Sequence, residues 1–581
     1  MHQLVGSSRL NLSGPTSAFP FPKRPPFRQT VSAYNFDNAV GSHARRTANY
    51  KPNIWNYESL LSLTSKYGEV KYKRESEIMK EEVAAILCSS GQDPLNKLEL
   101  IDGINKLALS YCFEEEINEA MNEFIACKNS FASSMNYDLY SAALFFRTLR
   151  QYGHNVSQDA LVHLMDEEKK FMAISRLDDK TKSEVFEACH LAMEGEFLLD
   201  RAKLYTTTCL RGTIRSDVDE SAGDINIYSP QAQDPLHWGV SYFNVKKHIH
   251  PNNNSALLPL ARLSFNIVQV QHQKDLKEII RWWKNLGLSE NLTFVRDRVV
   301  ESFLWAVGVA YEPHHGNLRK WLTKAIVFIL IIDDVYDIYG SMQELEQFTI
   351  AVESWDPREI DGLPEAMKRC FWALYDTVHD IDSEIQKEKG WNSVLPHIRN
   401  VWTEFCKSLL VEAKWHHTGR TPSLQEYLDN GWISSSGAVL SLHVLFGVGK
   451  DLTETINTFN SNQDIIHHAS LIIRLRNDEA TLKAELQRGD APSSILCYMK
   501  EANVEEGDAR DYVRKTITCS WKKMNGLFIS SPQSQQPIIR YILNIARVAN
   551  FFYRNGDGFG VQGRDTRQQV LSCVIEPLPV V

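Results

Sequence analysis

Ile331-Ile332-Asp333-Asp334-Val335-Tyr336-Asp337 closes the most apolar run of this 581-residue chain. From Ala325 to Ile332 no side chain is polar, and then three carboxylates arrive within five residues. On an α-helix Asp333 and Asp337 stand one turn apart and share a face. A buried apolar helix ending in aligned carboxylates calls for cations, because unpaired buried charge is costly. Oxygen ligands at this density suit magnesium or manganese and not zinc. Alone, such a stretch also reads as an acidic, solvated helix end, so its meaning rests on a partner.

That partner lies 140 residues downstream, in Arg474-Leu475-Arg476-Asn477-Asp478-Glu479-Ala480-Thr481-Leu482-Lys483-Ala484-Glu485. Asn477, Thr481 and Glu485 are spaced i, i+4, i+8 and form one oxygen-bearing stripe over two helical turns. An amide oxygen, a hydroxyl and a carboxylate on one face can chelate a single divalent ion. Arg474 sits one turn ahead on the same side. Upstream of the acidic stretch is Arg296-Asp297-Arg298; residues two apart on a helix face apart, so at least one of these arginines belongs on a loop. Planar guanidinium forks suit bidentate phosphate recognition. Two oxygen sets and these arginines describe a cage for a diphosphate, and no Gly-rich nucleotide loop is present. The substrate this implies has a diphosphate head and an apolar tail, for which Trp305, Trp432, Phe328 and Tyr498 offer aromatic walls able to stabilise an allylic cation.

The remaining composition narrows the field. Hydrophobic residues at 43% and aromatics at 10% describe a packed globular chain long enough for two or three domains. A net charge of −9 with both signs interspersed recommends no nucleic-acid partner. The ten cysteines contain no CxxC pair and read as reduced thiols of an intracellular compartment. No apolar run approaches the roughly 20 residues of a membrane span; the longest is Ala325–Ile332, so the chain reads as soluble. Adjacent histidines at 314–315, 416–417 and 467–468 point about 100° apart on a helix and read as packing residues, not chelators.

Residues 1–44 differ from the rest. They carry Arg9, Lys23, Arg24 and Arg28, several serines, five prolines between Pro15 and Pro26, and one acidic residue, Asp37. This is the composition of an organelle transit peptide, with an ordinary disordered tail as the alternative reading. From about Glu75 to Arg211 the pattern is helical, with Leu139-Tyr140-Ala142-Ala143-Phe146-Leu149 and Val185-Cys189-Ala192-Phe197 at three- and four-residue spacing. Turns are expected at Gly91–Pro94 and Tyr152–Asn155. No catalytic constellation is legible in this half, and Asp217–Glu220 reads as a loop. The helical signal lapses between Ser216 and Ser255, which sets a domain boundary at 255/256. Beyond it Leu276, Ile279, Ile280, Trp283 and Leu286 mark an amphipathic helix stopped at Gly287.

In combination these motifs resemble the plant class I terpene synthases, monoterpene branch of the angiosperm type, over nearly the whole chain from Arg45. The RDR at 296–298, DDVYD at 333–337 and NDxxTxxxE at 477–485 fall in that family's order. Phe265-Asn266, His272-Gln273, Arg281-Trp282-Trp283, Glu426-Tyr427-Leu428 and Arg488-Gly489-Asp490 are also similar, and Arg45-Arg46-x8-Trp55 is similar to its tandem-arginine motif. The resemblance implies an all-α, two-domain fold: a transit peptide 1–44, an N-terminal α-barrel 45–255, and a C-terminal catalytic bundle 256–581. It implies three Mg2+ or Mn2+ ions, two held by Asp333 and Asp337 and one by Asn477, Thr481 and Glu485. Asp334 is expected behind these ligands, pairing an arginine. Arg296, Arg298 and Arg474 are expected to grip the diphosphate, with Trp305 at the substrate. Gly556-Asp557-Gly558-Phe559-Gly560 resembles a capping loop whose glycines supply hinge freedom.

The implied reaction is ionisation of geranyl diphosphate, isomerisation and cyclisation to a monoterpene, by a monomer or weak homodimer. Arg45, Arg46 and Trp55 are associated in the family with migration of the diphosphate to a linalyl intermediate, which favours a cyclic product. Two departures bear on the outcome. Ser493 follows Arg488-Gly489-Asp490 where relatives often carry lysine, and Ile326 stands where asparagine is common. The second favours a hydrocarbon, although a helix break at Ser434-Ser435-Ser436-Gly437 near the pocket pulls toward an oxygenated product. Rival readings are an acyclic synthase of the ocimene, myrcene or linalool type, a sesquiterpene synthase on farnesyl diphosphate, and a diphosphate-binding scaffold without turnover.

Overall fold

Helices carry the chain throughout. The computed structural model describes residues 45, 50–89, 93–126, 138–159, 161, 177–216, 235–249, 257–488, 492–560 and 562–580. Among these no strand occurs, only an isolated bridge between Arg554 and Gly556. The leader, Arg46, the loop at 217–220, Gly91-Gln92 and Gly489-Asp490 lie outside the described residues.

The N-terminal helices (Val70–Leu87, Pro94–Lys106, Glu114–Ala126, Leu139–Gln151, Asp179–Cys189 and Phe197–Ser216) surround one apolar cluster built from Leu98, Ile101, Met121, Phe146 and Val185. Two buried arginines brace it. Arg147 donates to Asp102 at 2.7 Å and pairs with Glu184, while Arg150 donates to the carbonyls of Val156 at 2.7 Å and Leu191 at 2.9 Å. The spaced run from Val185 to Phe197 is not one helix. It stops at Cys189, and Gly195 adopts φ +85°, a conformation costly for other residues, before the chain re-enters a helix at Phe197.

The 30-residue helix Leu257–Leu286 links this cluster to the C-terminal helices. Its first turns, at Leu257, Leu260 and Ala261, pack with the N-terminal cluster. Phe265 through Ile280 pack into a second cluster with Trp305, Leu322 and Val548. Gly287 at φ +61° ends it, as its sequence position suggests. The helices that position the cavity described below are Val299–Val309, Gly316–Asp334, Leu395–Thr418, Leu424–Ser434, Gly437–Val448, Gln463–Arg488 and Gln536–Tyr553.

One expectation is corrected. The stretch Leu424–Val448 is long and apolar enough to span a membrane by length and composition, which the survey of unbroken apolar runs overlooked. Its most apolar 18-residue window is 72% buried inside the protein, and the stretch is broken at Ser435-Ser436, where Ser436 takes a left-handed φ of +66°, so it packs as core.

Candidate active site

The apolar helix Gly316–Asp334 is buried along most of its length, from Leu318 through Ile332. Its α geometry gives way at the acidic stretch to one π-turn, Val335–Tyr339, closed by the amide of Gly340 donating to the Val335 carbonyl at 2.9 Å. Such single turns concentrate at functional sites. The widened turn departs from the straight i, i+4 stack expected from spacing, yet Asp333 and Asp337 both line one cavity. Asp333 keeps 37% of its side chain accessible, whereas Asp334 is fully enclosed. Burial pushes the Asp334 carboxyl up to about 6, with Arg296 pulling against that shift.

Arg296 joins these groups. It lies with Asp297 in the loop before helix Val299–Val309, and Arg298 is that helix's N-cap residue. The Arg296 guanidinium pairs with Asp333 and donates to Asp334 at 3.1 Å, and the Tyr50 hydroxyl donates to the other Asp334 oxygen at 2.9 Å. Asp334 therefore stands behind Asp333 and anchors an arginine. Arg298 does something else: it is 1% exposed and does not line the cavity. It donates to the carbonyls of Phe559 at 2.7 Å, Asp297 at 2.8 Å and Lys51 at 3.0 Å.

Across the cavity, helix Gln463–Arg488 presents Asn477, Thr481 and Glu485. The Thr481 hydroxyl donates to the Asn477 carbonyl at 2.8 Å. Arg474 also lines the cavity; it donates to the Ser434 hydroxyl at 2.8 Å and lies 3.7 Å from Glu412 and 3.9 Å from Asp478. Asp478 is buried, accepting from the Tyr427 hydroxyl and the Ser494 amide, each at 2.9 Å. Burial raises the carboxyl pKa of both Glu412 and Asp478. Ser493 caps the next helix, Ser494–Ala502.

The cavity measures about 770 Å³. Its apolar side is formed by Trp305, Ile326, Ile329, Leu330, Phe405, Leu440 and Ile473, and Ser434 to Ser436 also line it. Gly556 to Gly560 line it as well. Phe559 is 3% exposed and stacks on Phe552 at 5.0 Å and Trp305 at 5.6 Å between centroids. Residues 50–57 run alongside as a strap. Asn53 donates to Asp297 at 3.1 Å, Trp55 donates to Glu301 at 2.8 Å, and Gln562 donates to the same Glu301 oxygen at 2.9 Å.

Of the sequence candidates, Asp333, Asp337, Arg296, Arg474, Asn477, Thr481, Glu485 and Trp305 meet in this cavity. Trp432, Phe328 and Tyr498 do not line it: Trp432 packs edge-on to His467, Phe328 on Trp282, and Tyr498 stacks on Tyr512. Trp55 belongs to the strap and Arg45 is exposed. His315 bonds the Tyr541 hydroxyl at 2.9 Å. Sequence reasoning missed Tyr50, Lys51, Glu412 and Tyr553, which also line the cavity. Only Glu412 carried a signal, as a carboxylate following the apolar face of Phe405, Cys406 and Leu409.

The donor chemistry can be tested against a metal. Among the described residues no three His, Cys, Asp or Glu side chains converge as a closed cage. One set supplies two carboxylates, the other a carboxylate with an amide and a hydroxyl oxygen, and neither supplies a nitrogen or sulfur ligand. This fits magnesium or manganese, which keep part of their shell for water and phosphate oxygens, and does not fit zinc.

Comparison with known proteins agrees. The model for the terpene synthase family, metal binding domain, matches residues 284–523, and that for the terpene synthase N-terminal domain matches residues 54–227. An alpha-farnesene synthase of Ricinus communis is 44% identical over 92% of this chain and 95% of its own. A crystal structure of limonene synthase with 2-fluorolinalyl diphosphate superimposes with a TM-score of 0.85 at 34% identity, covering 92% of this chain and 100% of that one. Isoprene synthase from grey poplar (Populus x canescens), in complex with three Mg2+ ions and dimethylallyl-S-thiolodiphosphate, gives 0.79 at 36%, covering 91% and 99%.

Proposed function

The chain belongs to the terpene synthase family, metal-dependent lyases with a two-domain helical fold, and on that premise we propose that it ionises geranyl diphosphate and releases diphosphate and a monoterpene hydrocarbon. One observation carries this reading: two oxygen-donor sets on separate helices face one cavity whose remaining wall is apolar and aromatic.

Asp333 and Asp337 would hold metal on one side, and Asn477, Thr481 and Glu485 on the other. Bound there, divalent ions neutralise the charge of a departing diphosphate. Arg296 and Arg474 are already immobilised by Asp334, Ser434 and Glu412, so they bind the head group without reorganising. The stacked Trp305, Phe552 and Phe559 offer faces to the allylic cation and exclude water from it. Ile326, Ile329 and Leu330 present no group to hold water, which supports a hydrocarbon. Arg45 and Arg46 keep their proposed part in diphosphate migration and thus in cyclisation. The leader 1–44 supports import into the plastid, with residues 45–255 and 256–581 as the two domains of the mature chain.

A second reading, farnesyl diphosphate to a farnesene-type product, is favoured by the alpha-farnesene synthase at 44% identity. The test is to incubate the chain with Mg2+ or Mn2+ and each diphosphate separately, identifying volatiles by gas chromatography with mass detection. Ten-carbon products from geranyl diphosphate are expected, and Asp333→Ala should lower turnover about 10²–10³-fold or more while the protein still melts cooperatively. Products only from farnesyl diphosphate replace the substrate assignment; undiminished turnover in Asp333→Ala refutes the metal assignment.

A further inference from the structure

We propose that Lys51, on the N-terminal strap, is a direct contact for the diphosphate head of the substrate. The inference rests on the terpene synthase reading and extends it to a residue outside the metal and arginine motifs. The two buried arginines of the cavity are already engaged by anions, Arg296 with Asp333 and Asp334 and Arg474 near Glu412 and Asp478, while the third, Arg564, is exposed. Lys51 lines the same cavity, and among the described residues its ammonium has no carboxylate partner.

An exposed lysine without a partner is ordinary; the position of this one is not. It and its neighbours on the strap are held by three buried or half-buried groups. The Lys51 carbonyl accepts from Arg298 at 3.0 Å, Tyr50 on one side donates to Asp334 at 2.9 Å, and Asn53 on the other donates to Asp297 at 3.1 Å. Asp334 and Asp297 flank the metal-facing and arginine-bearing segments themselves. The strap therefore holds a mobile four-carbon stem at the rim of the cavity, with its root fixed and its charge unspent. An ammonium of this kind serves as a point-charge phosphate ligand.

Binding of inorganic pyrophosphate in the presence of Mg2+, measured by calorimetry on the full chain, reads this contact without turnover. Lys51→Gln should weaken binding roughly tenfold, the scale of one charge-assisted hydrogen bond, and Lys51→Arg should restore most of it. Lys73→Gln removes an exposed cation that does not line the cavity and serves as the control for general electrostatics. Equal binding by wild type and Lys51→Gln overturns the proposal, as does an equal loss in Lys73→Gln. Binding by neither protein overturns the diphosphate site itself. Normal pyrophosphate binding with no turnover of any prenyl diphosphate leaves Lys51 in place and refutes the catalytic reading instead. Lys51 is exposed, so an unchanged melting temperature is expected for its variants.

Discussion

Arg298 shows how a motif can single out a guanidinium without saying what it touches. Its spacing from Arg296 placed both in one motif, and the pair suggested two phosphate ligands. In the fold the two divide the labour, because Arg298 is the N-cap residue of helix Val299–Val309 and points into the protein. Its acceptors are carbonyls of Lys51 and Phe559, 247 and 261 residues away in the chain. No local pattern encodes such partners. By contrast the convergence of Asp333, Asp337, Asn477, Thr481 and Glu485 on one cavity was legible, because residues on one face of a helix recur at helical spacing. Arg298→Lys keeps the charge and loses the fork, leaving at least one buried carbonyl unpaired at a cost of about 1–3 kcal/mol. The expected outcome is faster amide exchange at residues 50–57 and 556–560 together, with turnover reduced about tenfold. Exchange rising in only one of the two segments would show that they are not joined through this residue.

At the scale of elements, periodicity located the helices well and their irregularities poorly. The π-turn at Val335–Tyr339 is a one-residue slip in hydrogen bonding, and the pattern of apolar residues survives it unchanged. The same limit let Val185 to Phe197 look continuous. The capping loop came from its resemblance to the family's loop and not from periodicity. Two of its glycines have a stated need. Gly556 adopts φ +115°, and a Cβ on Gly558 would stand 2.9 Å from the backbone oxygen of Phe552. Gly558→Ala must therefore push the loop off helix Gln536–Tyr553 and loosen the Phe559 stack on Trp305 and Phe552. The expected result is a several-fold lower kcat and a larger share of alcohol products, since a cation reached by water is captured. An unchanged product ratio at lower kcat would mean that the loop positions substrate without excluding solvent.

Over the whole molecule, the lapse in pattern before residue 256 gave an expected boundary, while the contacts made within that lapse were not legible. One joint there is the 3₁₀ turn Leu236–Trp238, which lies in the lapse itself. Glu187 of the N-terminal helices accepts from the Leu236 amide at 2.8 Å; His237 meets Asn525 at 2.7 Å, and Trp238 stacks on Trp521 at 5.6 Å. Burial pushes the Glu187 carboxyl up to about 7 and the His237 imidazole down to about 3. Both shifts favour the neutral form, so their pH dependences oppose each other. The unfolded chain ionises Glu187 near pH 4.5, so its contribution is complete below that and is lost as pH rises through 7. His237 contributes above about 6.5, and that contribution is lost as pH falls toward 3. The joint is thus firmest between about pH 5 and 6. Glu187→Gln keeps an acceptor for Leu236 and removes the ionisation, so it should stabilise at pH 8 by on the order of 2 kcal/mol and leave stability near pH 4.5 unchanged. Melting curves of both proteins at the two pH values measure the difference, and a shift of equal size at each would place the effect in packing and not in the charge of Glu187.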